Sequence, residues 1–597
     1  MFMKRIMLLA GTAFLYTGMV SAAGLAEHHI KQAGADCQSC HSQPIEVKDN
    51  EARENQACIS CHGSLQELAQ QAKQPLSPHH SHLIDLSCTS CHSGHKEPVM
   101  VCQTCHDSFK SSFHIPFSAS DKVADTYVFP EVSQQAIDKA LAAGPVERHE
   151  LLVIGAGAAG HAAAVSARQH GIKDVVLLEK QPYIGGNGML AAGGMASAET
   201  LTQAFRGYQD SKALWYQDTM KGGHQLNNPD LVHTLVNNGS TGIDWLMALG
   251  ADMTSAASAG GHSAERLHRP SGGAKSGPEI IKTLKNAAEK LGVETRTNSK
   301  VIRLVQDKQG KITGVLVQGK HSGVNLLAAK AVVIASGGFA RNNALVAKYR
   351  PDLKGVDSTN NPGNVGDALT FATAIGVDTV DVDQIQAFPT AAAGKMVISG
   401  TARGAGAILL NRDGARFCDE MGPRDKVSEC IWAQPGKDTW LVFDKTVFER
   451  LGQLRGMLEL GIIYKAADAK ELAAKTQMNA ETAAAAVKRY NGFQASGKDS
   501  DFDRKNMADD LHFPLYAVQV KPAVHHTMGG LKIATDTRAL NKDGKPIAGL
   551  YAAGEVTGGV HGANRLAGNA IADTIVFGRI AGENVAEFIK QTATDNQ

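Results

Sequence analysis

The sequence predicts a multidomain chain: a small, mainly α N-terminal domain organised around prosthetic groups, then an α/β Rossmann-like domain interrupted by an inserted α+β domain. Three observations predict it. Four Cys-x-x-Cys-His motifs crowd into residues 37–106, in a stretch with few large apolar side chains. A buried-strand pattern at 150–154 runs into Gly155-Ala-Gly157-Ala-Ala-Gly160, an Ala-rich helix to about His170, and a second strand ending on Glu179. Strand-and-glycine turns return at 331–340 and 549–555, so one nucleotide site is assembled from both ends of the chain beyond residue 149.

The N-terminus carries Lys4-Arg5, an apolar run from Ile6 to Val20, then Ser21-Ala22-Ala23. A charged start, a short apolar core and small residues describe a secretory signal peptide over 1–23, with an uncleaved anchor as the alternative. The run is short for a membrane span. Removing Lys4 and Arg5 takes the formal charge from +1 to −1, so composition suggests no nucleic-acid partner.

The motifs Cys37/Cys40/His41, Cys58/Cys61/His62, Cys88/Cys91/His92 and Cys102/Cys105/His106 carry the attachment signature of c-type haem. Two thiols bond the porphyrin edge and the adjacent His ligates iron. Zinc sites or a disulfide framework are the competing reading, and four copies in so short a segment count against it. Within 24–118, His29, His79, His82 and His95 are the expected second iron ligands, leaving His28, His80 and His114 at the surface. A bis-His iron transfers electrons and offers a substrate no open position. Haem would replace the apolar core this stretch lacks. Haem c is attached outside the cytoplasm, so motifs and signal peptide agree on a periplasmic protein. Six Lys/Arg against ten Asp/Glu give 24–118 a net −4, suited to an electropositive cytochrome donor. Cys418 and Cys430 lie outside the motifs and are read as packed thiols.

Residues 119–148 read as an Ala-rich connector ending on Gly144-Pro145. The strand, glycine turn, helix, strand and acid that follow make a dinucleotide-binding unit. Its glycines let backbone approach a pyrophosphate at a helix N-terminus, and Glu179 is placed to accept from a ribose hydroxyl. Gly155, Gly157, Gly160, Glu179 and Lys180 are the expected contacts. A second glycine-rich stretch with Gly186, Asn187, Gly193 and Gly194 suits close flavin approach and favours FAD over NAD. Gly337, Gly338, Gly554, Glu555, Asn569 and Ala570 complete the set. The FAD domain is thus expected at 149–384 and 521–597. The insert is expected at 385–520, with a strand at Ala407–Leu410 and helices within 468–495.

Ala335-Ser-Gly-Gly-Phe339, Asn411-Arg-Asp-Gly414, Arg424-Asp-Lys426, His525-His-Thr-Met-Gly-Gly530 and the Gly554–Arg565 run together resemble the flavocytochrome c branch of the fumarate reductase/succinate dehydrogenase flavoproteins. The resemblance spans almost the whole mature chain. It implies a tetrahaem domain, an FAD domain and a mobile clamp domain that closes over substrate. It also implies reduction of a carbon–carbon double bond conjugated to a carboxylate. Electrons would pass along the haems to FAD, hydride would leave flavin N5 for one alkene carbon, and a proton would reach the other. By the same resemblance Arg565 and His525 hold the carboxylate, Arg424 donates the proton, Arg403 relays to it, and His526 sits by the flavin ring. The covalent flavin-histidine of membrane-bound relatives is not matched, because Asn187 falls in that region, so dissociable FAD is expected. Arg412 and Arg416 are read as surface charges.

Three departures from the family pattern bear on the substrate. Gln386-Ala-Phe388-Pro-Thr390 stands where the fumarate reductases read Gln-x-His-Pro-Thr, whose His binds the second carboxylate. Ile398-Ser-Gly-Thr-Ala402 holds no acid where the family places a glutamate before Arg403, leaving water or Ser399 and Thr401 to complete the proton route. Ser258-Ala259 replaces a Met-Met pair lining the pocket, and Met396 is expected to line it too. One carboxylate anchor is kept and the opposite end is apolar. A methacrylate-, cinnamate- or urocanate-like monocarboxylate is the expected substrate, with fumarate bound through Ser399 or Thr401 as the alternative. A tetrahaem shuttle with an idle flavin domain and an oxidase of saturated acids or steroids are the other classes; retained Arg424, Arg403, His525 and Arg565 count against the shuttle. A monomer is expected.

Overall fold

The computed structural model describes residues 29, 39, 51–71, 79, 83, 86–92, 101, 129–319, 323–392, 396–505, 507 and 509–594. The expected signal peptide and Cys37, Cys40, His41, His82, His95, Cys102, Cys105 and His106 lie outside them.

The nucleotide-binding sheet has eight strands. Pro145–Ile154 lies between Val175–Leu178 and Gly323–Ile334, all parallel, with Glu294–Arg296 and Pro546–Ala552 continuing the two sides. Leu151–Ile154, Val175–Leu178 and Ala331–Ile334 are buried, as unbroken apolar strands must be when helices cover both faces of a parallel sheet. Helix Ala158–Gln169 and the C-terminal helix Asn569–Thr594 provide cover. They pack at backbone distance: a Cβ on Gly578 or Gly582 would lie 2.7 Å from Ala159 O or 2.4 Å from Ala163 O. The first strand begins at Pro145, ahead of the expected boundary at 149. Its polar first half extends beyond the covering helices, so it lacks the apolar signature of its second half. Among the described residues no helix is long and apolar enough to cross a membrane.

The insert is built on an antiparallel sheet ordered Met396–Val397, Ile385–Ala392, Leu515–Thr527, Thr439–Phe443, Ile408–Leu410, with Ile463–Ala466 also on Leu515–Thr527. Leu409, Leu441, Phe443 and Val518 feed one core, and Ile408, Leu410, Val442 and Ala517 the other. This alternation is the period-two pleat of a sheet buried on both faces. The 13-residue strand Leu515–Thr527 runs through the boundary expected at 520–521. Its first half belongs to this sheet's centre, and its end carries His525 and His526 out to the nucleotide-binding domain.

Arg416 corrects an expectation. Its side chain is 5% exposed and bonds both Glu420 oxygens at 2.9 Å, while Arg504 Nη1 adds a third contact to Glu420 at 3.0 Å and Asp499 takes Arg416 at 2.8 Å. Arg412 stays at the surface with Asp438. Removing one member of a buried ion cluster strands the others. Glu420→Gln should therefore destabilise the insert by about 3–5 kcal/mol, read as a lower melting temperature of the holoprotein.

Candidate active site and cofactor centres

The register levels four strand ends. Ile154 pairs with Leu178 and Ile334, and Ile334 with Ala552. The turns that follow line a cleft with about 850 Å³ of empty space, at the carboxyl edge where open α/β sheets bind ligands. Gly155, Gly157, Glu179, Lys180, Gly186, Asn187, Gly337 and Glu555 all line it. Gly155 has φ +103°, and a Cβ there would meet Ala335 O at 2.5 Å; a Cβ on Gly160 would lie 1.8 Å from Gly155 O. Glu179 accepts from Ala156 and Gln181 N–H at 3.0 and 2.8 Å, and burial pushes its carboxyl up. Asn187 donates to Glu555 at 3.1 Å and accepts from Asn361 N at 2.8 Å. Gln181 Oε1 and Ser336 Oγ, buried in the wall, have no partner among the described residues. Such orphaned acceptors and donors, with glycines admitting close backbone approach, fit a long polar cofactor such as FAD.

Other expected FAD residues serve differently. Gly194 lies against the backbone of Leu267 and His268, and Gly338 against Thr527 and Glu555. Gly193 faces open space, and Gly554 fits against Ala159. Asn569 is corrected: its side chain is spent between Trp215 Nε1 and Thr219 Oγ1, both at 3.0 Å. Only its backbone, with that of Ala570, remains for a ligand at the start of the C-terminal helix.

A cluster of cations lies where the Leu515–Thr527 strand meets Ile385–Ala392. Phe388, 2% exposed, packs its ring 4.9 Å from His525 and 4.8 Å from the Arg424 guanidinium. Arg424 Nη1 donates to Gln386 Oε1 at 3.1 Å, and Gln386 Nε2 donates to Asn564 Oδ1 at 2.6 Å and Arg565 O at 2.8 Å. Thr359 Oγ1 lies 2.7 Å from His525 Nδ1, and Asn360 Nδ2 donates to His525 O at 2.9 Å. Arg424 and His525 are deep yet keep one face open. Burial, then the charges of Arg565 and Arg403, hold Arg424 well below its usual value. Burial, then Arg424 and Arg565, push His525 down, so its ring is neutral at pH 7. Burial brings Arg403 and Arg565 to about 10. Four positively poised groups face one small region, a site made for an anion and for releasing a proton.

The described haem-motif residues pair across short gaps. The His29 and His62 ring centroids are 5.9 Å apart, and those of His79 and His92 6.4 Å. An iron about 2 Å from a nitrogen of each ring sets the centroids roughly 6 Å apart, so both spacings fit. Cys58, Cys61 and Cys88 lie alongside, and Cys91 joins Leu86, Val101, Leu65 and Leu83 in a cluster around Tyr183 of the nucleotide-binding domain. Tyr183 Oη accepts from Asn361, which lines the cleft.

The family model for an FAD binding domain matches residues 150–571, and that for cytochrome c3 matches 28–107. A fumarate reductase (cytochrome) of Shewanella frigidimarina is 42% identical over 590 residues, covering 98% of each chain. The chain belongs to the flavocytochrome c3 fumarate reductase family. The open conformation of a flavocytochrome c3 fumarate reductase superposes with a TM-score of 0.81 at 44% identity, covering 95% of this chain and 99% of the other. A urocanate reductase of Eggerthella lenta is 34% identical over 453 residues, 73% of this chain and 74% of its own. This flavocytochrome is an FAD-dependent oxidoreductase of the type that reduces carbon–carbon double bonds, and its cofactors are FAD and four c-type haems.

Around the site of this flavocytochrome, Ser399 is nearly buried, with its hydroxyl 3.0 Å from that of Thr401. The loop with Ser258 and Ala259 meets the segment before Arg424: a Cβ on its Gly260 would lie 2.8 Å from Met421 O. Met396 is corrected, since it packs on the insert's core. Sequence reasoning missed Thr359 and Asn360, which hold His525, and Asp573, whose carboxylate lies 3.1 Å from His561 Nε2 beside the edge-on His526 ring. His526 Nδ1 lies 3.5 Å from Glu555. The dense Ser-Thr-Asn-Asn run at 358–361 was the available signal for the first pair.

Proposed function

We propose that this protein is a periplasmic enoate reductase for an α,β-unsaturated monocarboxylate with an apolar or aromatic tail, such as a methacrylate-, cinnamate- or urocanate-like acid. The observation that carries this is the Phe388 ring wedged between Arg424 and His525. A second carboxylate placed against that ring would lose its hydration with no donor in return, a cost of several kcal/mol.

Arg565 and the neutral His525 hold the carboxylate, Arg565 as a charged fork and His525 as a neutral donor. Dissociable FAD bound in the cleft supplies hydride to the alkene, replenished with electrons through the haems. Arg565 and Arg403 stabilise the negative charge that develops toward the carboxylate, and Arg424 delivers the proton to the neighbouring carbon. His29 with His62 and His79 with His92 serve as axial pairs. The acidic haem domain receives electrons from an electropositive cytochrome, periplasmic or membrane-anchored, and the protein works as a monomer.

The 42% identity to a fumarate reductase supports a second reading, in which Ser399 and Thr401 bind the far carboxylate of fumarate. One assay separates the two. Dye-reduced holoprotein is reoxidised with fumarate, methacrylate, cinnamate and urocanate. A monocarboxylate is expected to give the highest kcat/KM, and fumarate in first place would overturn the proposal.

A further inference from the structure

Arg403 is buried, and its Nη1 donates to the Glu420 carbonyl at 2.7 Å, which ties it to the 418–421 loop. Its Nε finds no partner among the described residues. No acid precedes it on its own helix, Thr401–Gly404. Gly400 stands three residues before it, and a Cβ there would lie 3.4 Å from Arg403 Nη2. The Ser399 and Thr401 hydroxyls bond each other, and a hydroxyl passes a proton on only as it receives another. A relay that ends in this interior needs a titratable group that solvent reaches.

Asp419 is that group. It adjoins the carbonyl that Arg403 grips, it is half-buried, and its Oδ1 accepts Met421 N–H at 2.8 Å. We infer that Asp419 is the solvent-side acid of a proton relay running Asp419, Arg403, Arg424, substrate. This rests on the reading of Arg424 as proton donor. Arg424 gives a guanidinium proton to the substrate carbon, Arg403 restores Arg424, the Asp419 carboxyl restores Arg403, and water restores Asp419. One solvent proton reaches carbon per turnover and no electrons move in the relay.

The charges facing Asp419 suit the role. Burial raises its carboxyl, the Met421 N–H opposes, the Glu420 carboxylate raises it further, Arg504 opposes, and Asp499 raises it again. Arg403, facing it from the other side, is brought to about 10. The two partners are therefore closer in proton affinity than they are in water. Asp419 donates only when protonated, so turnover falls as pH rises through its titration.

The test uses full-length protein loaded with haem and FAD, assayed from pH 6 to 9 with whichever acid turns over fastest, fumarate included. A wrong monocarboxylate assignment then leaves the test intact, and loss of the Arg424 role shows separately as an active Arg424→Ala variant. Asp419→Asn keeps the acceptor for Met421 N–H. It is expected to lower kcat by on the order of 100-fold with KM and haem-to-flavin electron transfer unchanged, and to erase the fall of kcat with pH. Asp419→Glu should recover most of the rate. Gly400 has helical φ and ψ of −55° and −18°, so Asp419→Asn combined with Gly400→Glu should also recover rate by returning a carboxyl to the other side of Arg403. A wild-type kcat and pH profile in Asp419→Asn overturns the relay, as does a loss confined to KM.

Discussion

Arg424→Ala is expected to lower turnover by about 10³-fold or more while leaving the haem spectrum and FAD content unchanged. An arginine is ordinarily a poor acid, since its guanidinium holds its proton across the working range. The surroundings of Arg424 weaken that hold. Burial strips its hydration, and Arg565 and Arg403 add like charge. It is also the first residue of helix Arg424–Trp432, at the positive end of that helix. The Phe388 face and Gln386 Oε1 act in the opposite sense and keep the side chain in place. The result is a fixed cation that can release a proton and take one back. Removing it relieves crowding among three arginines, so the variant should melt no lower than the parent. Steady-state turnover with reduced dye measures the loss, and mixing pre-reduced protein with substrate should leave the flavin reduced. Turnover retained in Arg424→Ala would remove the residue from the chemistry.

What the sequence made legible follows physical rules that act over short distances. Leu151–Ile154, Val175–Leu178 and Ala331–Ile334 read as buried strands because both faces of that sheet are covered. The Gly155–Gly160 turn read as a phosphate-binding bend because a Cβ at either end would collide with backbone. The illegible parts depend on distant contacts. Pro145–Arg148 is polar and joins the sheet only because Leu326–Ala328 lies beside it. Arg416 looked like a surface charge because its partners Glu420 and Asp499 become partners only when the insert folds. Thr359 is an ordinary polar loop residue until the fold brings His525, 166 positions later, to its hydroxyl. Cys418 packs in the core of the insert with Cys430 at its margin, and burial pushes the Cys418 thiol up. Packed thiols were the expectation for this pair, and apolar context on both sides was the signal.

Phe388→His should move preference toward a dicarboxylate, and this substitution reaches furthest into specificity. Residue 388 pairs with Ala523 on the strand that carries His525, so the backbone fixes where its side chain points. An imidazole there would stand between Arg424 and His525, where neighbouring arginines keep His525 itself neutral. The new ring should be neutral for the same reason, offering one N–H and leaving the Arg424 guanidinium free of an aromatic face. A hydrogen bond from that N–H to a carboxylate is worth about 1.5–3 kcal/mol, so the ratio of kcat/KM for fumarate over a monocarboxylate should rise by about 10- to 100-fold. Part of the gain is offset because Phe388 is fully packed, and a smaller, polar ring gives up roughly 1–2 kcal/mol of burial. That cost appears in melting temperature and not in the ratio, since it applies equally to both substrates. Phe388→Leu separates shape from hydrogen bonding: it keeps the pocket apolar, and the ratio should stay near the parent's. An unchanged ratio in Phe388→His would mean that the far end of the substrate lies elsewhere, with Ser399 and Thr401 the next groups to vary.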